Sequence, residues 1–493
     1  MTKPTIVSNL FLSLTLFLTT WVRSLSSTNT TTTHEILRGF SATPDPSNPS
    51  SFQPLLTDPT STFSLGFLRV KSSELALSII HVPSSDPVWL AQIIPNSARW
   101  SESTRLLFNG SLVLSDPHSG VFWSTGTNGG DGLRLLNNSN LQIVDSVAVT
   151  VLWQSFDFPS DTLVESQNFT SAMALRNGPY SMRVGRDFLA LYADFKGDSN
   201  PLYWRHKAME AKAQVEDGLG PVYARVDSDG FLGMYQTEAA PVDVMAFASF
   251  HRGVAGLRRL RLEPDGNLRG YFWNSTIWVT EFEAIQDWCE LPSACGPYGL
   301  CSAGNGCTCL DNKTEFSGSG GCSRAESGDF CSGGEEGFWV LRRAGVELPY
   351  KELVGFEKMG SLEECEGDCM RNCSCWGVVF SNVSGFCYRI GYPVQTLVAF
   401  GDGTKVGVFK VRKRGEKEGK WEVGFGGVVG LVVVGMGVLG GLIGLGVWWW
   451  KKRMIKEGKV EFVEGVGLAP GPYRDLKESL RSESSRSLEL CKR

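Results

Sequence analysis

No cysteine occurs before Cys289, so whatever folds across residues 35–285 rests on hydrophobic burial without cross-links. Histidine is scarce: the five in 493 residues stand at His34, His81, His118, His206 and His251. They form no H-E-x-x-H pair, which excludes the helix-borne zinc hydrolase pattern. A G-x-S-x-G nucleophile elbow is absent too. After Trp450 there is no Gly-rich loop, strand lysine, H-R-D or D-F-G, the parts a protein kinase needs. Charge is low and nearly balanced, 47 Lys and Arg against 52 Asp and Glu, for a net −5. That removes the basic footprint of a nucleic-acid binder, and no nucleic-acid partner is expected. Gly435-Met-Gly437-Val-Leu-Gly440 satisfies a dinucleotide-type glycine pattern. It lies inside an apolar run with no strand before it, so it cannot cradle phosphate. These absences leave no catalytic residue, no metal ligand set and no cofactor, and the chain reads as not an enzyme.

Long uncharged apolar runs are few, and the two present sit near the ends. Lys3 precedes the run Leu10–Val22 and the mostly small stretch Ser24–Ser27, the order of a secretory signal peptide, placed at 1–26. The second run, 423–450, is long enough to cross a bilayer. It ends in Trp448-Trp449-Trp450 and meets Lys451-Lys452-Arg453 at once, an aromatic belt followed by a stop-transfer cluster. Basic residues flank it on both sides, so positive charge alone does not orient it. The signal peptide does, committing the chain between it and the second run to the exterior. The expectation is a single-pass type I protein of the plasma membrane, with a juxtamembrane linker at 414–422 and a cytoplasmic tail at 451–493 too short for an enzyme.

Cysteine use agrees with export. Twelve of the thirteen cysteines lie between Cys289 and Cys387, the other being Cys491, and an even clustered set in an exported segment reads as six disulfides. The spacing of Cys307-Thr-Cys309 and Cys373-Ser-Cys375 does not suit zinc. N-x-Ser/Thr acceptors stand at Asn29, Asn109, Asn137, Asn168, Asn274, Asn312, Asn372 and Asn382, with none in the tail. As a set they suit a glycosylated exterior.

The cysteine-free half consists of short apolar runs broken by Gly, Asn, Asp, Ser and Pro, such as Ser111-Leu-Val-Leu114, Leu141-Gln-Ile-Val144 and Val149–Trp153. Strands of about five residues with frequent turns predict all-β folding, and this length suits two domains better than one. A boundary is placed after Trp153-Gln-Ser-Phe-Asp-Phe-Pro-Ser-Asp-Thr-Leu163. The cysteines then divide into Cys289, Cys295, Cys301, Cys307, Cys309 and Cys322, and Cys331, Cys365, Cys369, Cys373, Cys375 and Cys387. A segment of about 40 residues cannot bury an adequate core, so cross-links must stabilise the first group. Cysteines at i, i+4 and i+8 share a helical face, which predicts a short helix over Leu362–Arg371. Six cysteines allow 15 connectivities, and spacing does not choose among them.

At these residues the chain resembles the plant S-domain family, the S-locus glycoproteins and the ectodomains of G-type (bulb-type) lectin receptor-like kinases, as a kinase-lacking membrane-anchored member. The Trp153–Leu163 segment is similar to the family's signature closing the bulb-type lectin domain. Trp288-Cys289 through Cys295-Gly-Pro-Tyr-Gly-Leu-Cys301 and Cys307-Thr-Cys309-Leu310 resembles its EGF-like module. Glu363-Glu-Cys-Glu-Gly-Asp-Cys-Met-Arg-Asn-Cys-Ser-Cys375 resembles its PAN/apple module. The resemblance implies a mainly β chain: a bulb-type lectin β-prism at 35–165, a second lectin-like β domain of S-locus glycoprotein type at 166–285, a disulfide-rich EGF-like module at 286–325 and an α+β PAN/apple module at 326–413. It also implies the pairs Cys289–Cys301, Cys295–Cys307, Cys309–Cys322, Cys365–Cys387 and Cys369–Cys375, which leaves Cys331 with Cys373.

The bulb-type lectin fold binds mannose through a Q-x-D-x-N-x-V-x-Y strand. At those positions this chain has Leu107, Asn109, Ser111, Val113 and Ser115, and again Leu136, Asn138, Asn140, Gln142 and Val144. Both sets lack the Gln, the Asp and the Tyr, so sugar discrimination should be largely lost. Asp265 and Asn267 keep the spacing better, although Asp-Gly-Asn between two apolar strands is also what a hairpin turn wants. Asn138, Asn140, Asp265 and Asn267 are thus the candidate carbohydrate contacts. Gly426, Gly430, Gly437, Gly440, Gly441 and Gly444 offer small faces for a homodimer of the membrane helix. The expected function is a cell-surface recognition protein, receptor-like or co-receptor. It would bind a protein or glycan ligand outside and signal through a membrane receptor kinase; the alternative is a membrane-anchored carbohydrate-binding lectin. The tail serines Ser482, Ser484, Ser485 and Ser487 are candidate phosphorylation sites.

Overall fold

A computed structural model describes residues 35–92, 98–195, 201–208, 222–238, 240–311, 314–318, 321–322, 330–331, 338–412 and 445–449. The chain divides into two units, Met1–Arg414 and Gly415–Arg493. Of the second, residues 445–449 are helical. No helix among the described residues is long and apolar enough to cross a membrane. The signal peptide, Asn29, Asn312, the membrane glycines, Cys491 and the tail serines lie outside the described residues.

The first unit is mainly β, in several antiparallel sheets. Residues 35–154 form three of them. One joins Glu35–Leu37, Gly132–Leu135, Leu141–Asp145 and Thr150–Gln154; a second joins Phe40–Ala42, Arg105–Phe108, Leu112–Asp116 and Gly120–Ser124. The third joins Phe52–Thr57, Phe63–Arg69, Glu74–His81 and Asp86–Leu90, with Ala98–Arg99 against Glu74–His81. Period-2 alternation decides which side chains enter: Leu112, Leu114, Leu141 and Ile143 are fully buried, while Val113, Ser115, Gln142 and Val144 face outward. The last strand of each sheet sends one tryptophan to the centre. Trp89, Trp123 and Trp153 form a triangle with ring centroids 5.9, 6.0 and 6.1 Å apart, every pair edge to face. That arrangement sets the electropositive edge of each ring against the face of the next.

Residues 162–283 repeat the three-sheet pattern. The sheets are Thr162–Val164, Arg258–Leu262, Leu268–Trp273 and Trp278–Glu283; Leu175–Asn177, Tyr180–Val184, Phe188–Ala193 and Leu202–Lys207; and Tyr223–Asp227, Phe231–Tyr235 and Asp243–Ala246. This body meets the first through an aromatic and ionic joint. Trp278 Nε1 donates to Ser84 Oγ at 3.0 Å, Arg259 pairs with Asp86 at 3.0 Å, and the His81 ring lies 4.8 Å from Trp273 and 5.1 Å from Trp278.

Burial first and the Arg259 guanidinium second push the His81 imidazole down to about 4 from its ordinary 6.5, against a smaller pull from Asp86. The unfolded chain therefore takes up a proton near pH 6.5 that the folded joint refuses until about pH 4. Stability is full above the unfolded value and falls as pH drops through that window, by about 3 kcal/mol. We expect the denaturation midpoint of the His81→Gln ectodomain to fall less steeply than the wild type between pH 7 and pH 4. Parallel profiles would remove His81 as the cause.

The disulfides in the first unit are Cys289–Cys301, Cys295–Cys307, Cys309–Cys322, Cys331–Cys373, Cys365–Cys387 and Cys369–Cys375. Helix Leu362–Arg371 starts at Ser361, whose Oγ accepts from Glu364 N at 3.3 Å, satisfying an otherwise orphaned amide. It ends before Asn372, so Cys373, which the i+8 spacing put on the helical face, lies beyond it and reaches Cys331 instead. The buried Lys410 donates from Nζ to Asn372 O at 2.8 Å, placing a cation at the negative end of the helix. The helix covers one face of a five-stranded sheet ordered Phe338–Ala344, Lys405–Arg412, Gly377–Ser381, Phe386–Ile390 and Phe356–Lys358.

The two cysteine groups do not form separate beads. Hairpin Gly299–Ser302/Gly306–Cys309 continues into strands Leu397–Ala399 and Val346–Glu347, with Leu300 paired in parallel to Leu397 and Cys301 to Val398. Tyr298 Oη donates to Lys410 O at 2.5 Å across the same seam. The second β body joins them through Tyr203 against Tyr350, centroids 6.3 Å apart, and Phe195 against Tyr392, 6.2 Å apart. One hydrophobic cluster runs from Leu163 to Val411.

Candidate functional site

The outward face of sheet Phe40–Ala42/Arg105–Phe108/Leu112–Asp116/Gly120–Ser124 holds a groove of about 700 Å³, within the ~300–1,000 Å³ of small-ligand sites. Leu107 and Ser115, two of the mannose-type positions, line it together with Ser41, Thr43, Glu102 and Arg105. Strand pairing sets Leu107 opposite both Ser41 and Val113, and Arg105 opposite Ser115, so one face carries them all. Arg105 Nε donates to Ser41 Oγ at 2.5 Å. Its terminal nitrogens, the Glu102 carboxylate and the Ser115 and Thr43 hydroxyls make no side-chain hydrogen bond to another described residue. Val121, 64% exposed, adds an apolar wall. At the groove's edge Asp116 is occupied by its own loop, accepting from Ser103 Oγ, from His118 N at 2.8 Å and from Ser119 N at 3.1 Å. The groove thus offers unengaged hydroxyl, guanidinium and carboxylate groups beside aliphatic surface, a lining suited to a polyhydroxylated ligand.

The four residues singled out in the sequence lie elsewhere, on turns, each with at least one side-chain polar atom engaged within its own domain. Asn138 Oδ1 accepts from Asn140 N at 3.1 Å, closing the turn between Gly132–Leu135 and Leu141–Asp145. Asn140 is buried; its Nδ2 donates to Gln154 Oε1 at 2.9 Å, and its Oδ1 accepts from Phe156 N at 3.4 Å. Asp265 accepts from Asn267 N at 2.9 Å and from Arg269 at 2.8 Å. Asn267 is buried, donates to Ile285 O at 2.7 Å and accepts from Ile285 N at 3.0 Å. Gly266, at φ +86°, supplies the left-handed step the turn requires. Asp-Gly-Asn is a hairpin turn here, stapled to the end of the domain. Replacing Asn267 by Ala leaves the Ile285 amide and carbonyl unpaired, and we expect a loss of about 1–3 kcal/mol, read as a lower denaturation midpoint. An unchanged midpoint would free Asn267 from this structural role.

Asn109, Asn137, Asn168, Asn274 and Asn382 are exposed. Asn372 is half-buried, and its Oδ1 accepts from Ser374 N at 2.9 Å inside the loop closed by Cys369–Cys375. Among the described residues, no group of His, Cys, Asp and Glu comes together that could hold a metal ion. An aromatic shelf was not visible in the sequence. Phe356, 52% exposed, stacks on Phe386 at 4.2 Å and meets Tyr388 at 5.7 Å. These residues come from paired strands thirty positions apart, and no local pattern announces them.

Comparison with known proteins gives the same order along the chain. A D-mannose binding lectin profile matches residues 87–178, an S-locus glycoprotein domain 233–313 and a PAN-like domain 331–388. A PAN domain-containing protein of Arabidopsis thaliana is 49% identical over 468 residues, covering 93% of this chain and 92% of that protein. A G-type lectin S-receptor-like serine/threonine-protein kinase of the same plant is 24% identical over 79% of this chain and 48% of the kinase, so the chain spans about half that relative's length. Among solved structures, the two-domain fetuin-binding lectin Scilla campanulata agglutinin aligns with 51% of this chain and 94% of its own at 16% identity, with a TM-score of 0.19. The chain belongs to the family of the Arabidopsis PAN domain-containing protein, with lectin, S-locus glycoprotein and PAN domains, and is a distant relative of the G-type lectin receptor-like kinases.

Proposed function

We propose that the chain is a non-catalytic cell-surface recognition protein, a receptor-like or co-receptor subunit held in the plasma membrane as a single-pass type I protein. In this reading the bulb-type lectin β-prism, the second lectin-like β domain, the EGF-like module and the α+β PAN/apple module form the exterior. Signalling passes to a membrane receptor kinase, with homodimerisation through the glycine-rich membrane helix. The observation that carries it is the joining of residues from both cysteine-bearing segments, Tyr298 and Leu300 of the first and Leu341 and Phe409 of the second, to the second β body through one core, with the aromatic shelf left open on the surface. A surface that presents exposed Phe356 beside half-exposed Phe386 and Tyr388 suits protein contact, where aromatic anchors dominate. The engaged side chains of Asn138, Asn140, Asp265 and Asn267 weigh against sugar reading at those positions.

A second reading, a membrane-anchored lectin, is favoured by the unengaged polar groups of the 700 Å³ groove. Screening the glycan-trimmed ectodomain against a broad glycan panel separates the two. Specific binding abolished by Arg105→Ala would promote the lectin. Silence across the panel, with cross-linking to a receptor kinase at the plant cell surface that Phe356→Ser weakens, would favour the receptor reading.

A further inference from the structure

We propose that the groove of the first domain holds the N-linked glycan of the chain's own Asn109. This rests on the reading of an exported ectodomain. Asn109 is the tip residue of hairpin Arg105–Phe108/Leu112–Asp116, where Asn109 N donates to Ser111 O at 3.2 Å and Gly110 sits at φ +109°. The burial pattern alternates: Leu106 and Phe108 are buried, while Arg105, Leu107 and Asn109 point out. The attachment point and the groove lining therefore share one face. At the strand rise, Leu107 lies roughly 7 Å and Arg105 roughly 13 Å back along the hairpin from Asn109, a path a branched oligosaccharide covers.

The surface along that path is amphipathic in the way a sugar ring is. Leu107, half-exposed Val113 and Val121 offer aliphatic contact. Arg105, Glu102, Ser115 and Thr43 offer donors and acceptors that no described side chain uses. Ser111 is both the sequon hydroxyl and a bonded member of the face, its Oγ 2.9 Å from Ser124 Oγ and 3.0 Å from Thr125 Oγ1. Tethering makes a weak site sufficient, because a glycan attached at the rim is present at high effective concentration without paying for association. The chain thereby fills its own lectin-type groove, and the surface left for a partner lies elsewhere.

The test uses the ectodomain secreted from plant cells, its glycopeptides identified by mass and its glycans removed by endoglycosidase under native conditions. We expect Asn109 to carry a glycan, and that glycan to be released about tenfold more slowly than the one on Asn137, a factor corresponding to ~1.4 kcal/mol of retention on the groove. Arg105→Ala should bring the two rates together, and Asn109→Gln should gain millimolar binding of free trimannosyl chitobiose by nuclear magnetic resonance. An unmodified Asn109 beside glycosylated Asn137 and Asn274 overturns the proposal, as do equal release rates in the wild type. Absence of glycan at every sequon removes the exported reading itself, and the proposal with it.

Discussion

Replacing Trp89 by alanine is expected to cost the first domain about 3–5 kcal/mol, the range for emptying a large aromatic from a core, and that is a large fraction of the stability of a domain this size. Trp89 is buried and touches both other rings of the tryptophan triangle. Its Nε1 also donates to Phe158 O at 2.8 Å, so the substitution orphans a carbonyl as well as opening a cavity. The three sheets meet at these rings, and the loss is shared by all three rather than absorbed by one. Near-ultraviolet circular dichroism during denaturation of the ectodomain should show an early transition in the variant. Trp100→Ala is the control, because that half-exposed indole covers Arg69 at 4.4 Å and donates to Asp45 O at 3.0 Å at the surface. Equal midpoints for Trp89→Ala and Trp100→Ala would show that the triangle is not the domain's keystone.

The second large effect is expected at Arg258, a side chain only 1% exposed. Its guanidinium donates to Ser228 O at 2.6 Å, Val254 O at 2.9 Å and Ser249 Oγ at 3.2 Å, with Glu281 3.9 Å away and the Phe272 ring beneath it at 5.1 Å. One cation thus ties the segment around residues 249–256 to two strands of the second β body. Arg258→Ala removes the charge partner of Glu281, which keeps only the Ser249 hydroxyl at 2.7 Å, and leaves the Ser228 and Val254 carbonyls without their donor; breaking such a pair from one side costs about 3–5 kcal/mol. Arg258→Lys should recover only part of that, since an ammonium cannot match the planar fork. Limited proteolysis supplies an independent readout: the 249–256 segment should become a cleavage site in Arg258→Ala. Unchanged resistance and an unchanged midpoint would mean that the acceptors find other donors.

The all-β character of the cysteine-free half was legible because it is local. Alternating runs such as Leu112-Val-Leu-Ser-Asp and Leu141-Gln-Ile-Val-Asp dictate which face is buried, whatever the strand packs on. Helix Leu362–Arg371 was legible for the same reason, through cysteines spaced by one turn. Its bounds match the expectation, although Cys373, counted on its face at i+8, lies past its end and is held by Cys331, forty-two positions away. The turn reading of Asp265-Gly-Asn267 could be made from residue type, but the fate of the two side chains could not. That Asn267 bonds Ile285 depends on a strand crossing that no window contains.

The groove illustrates the other side. Spacing brought Leu107, Asn109 and Ser115 to notice as positions where a sugar motif had lost its polar groups. Arg105, Glu102 and Thr43, which give the groove its chemistry, belong to no motif and meet only when strand Phe40–Ala42 pairs with Arg105–Phe108.

By itself the sequence determined the short-strand texture, the concentration of cross-links between Cys289 and Cys387, the two faces of alternating strands such as Leu112–Asp116, and the lack of any catalytic motif. Tertiary structure alone decided the rest. It brought three tryptophans into one triangle, and it spliced strand Gly299–Ser302 to Leu397–Ala399 so that two disulfide-rich segments share a sheet. It also engaged the four candidate sugar contacts internally while leaving a different face open. The division has a physical cause. Backbone periodicity and side-chain polarity act within a few residues, whereas hydrogen-bond satisfaction and ring packing are settled between residues tens or hundreds of positions apart, once the sheets have met.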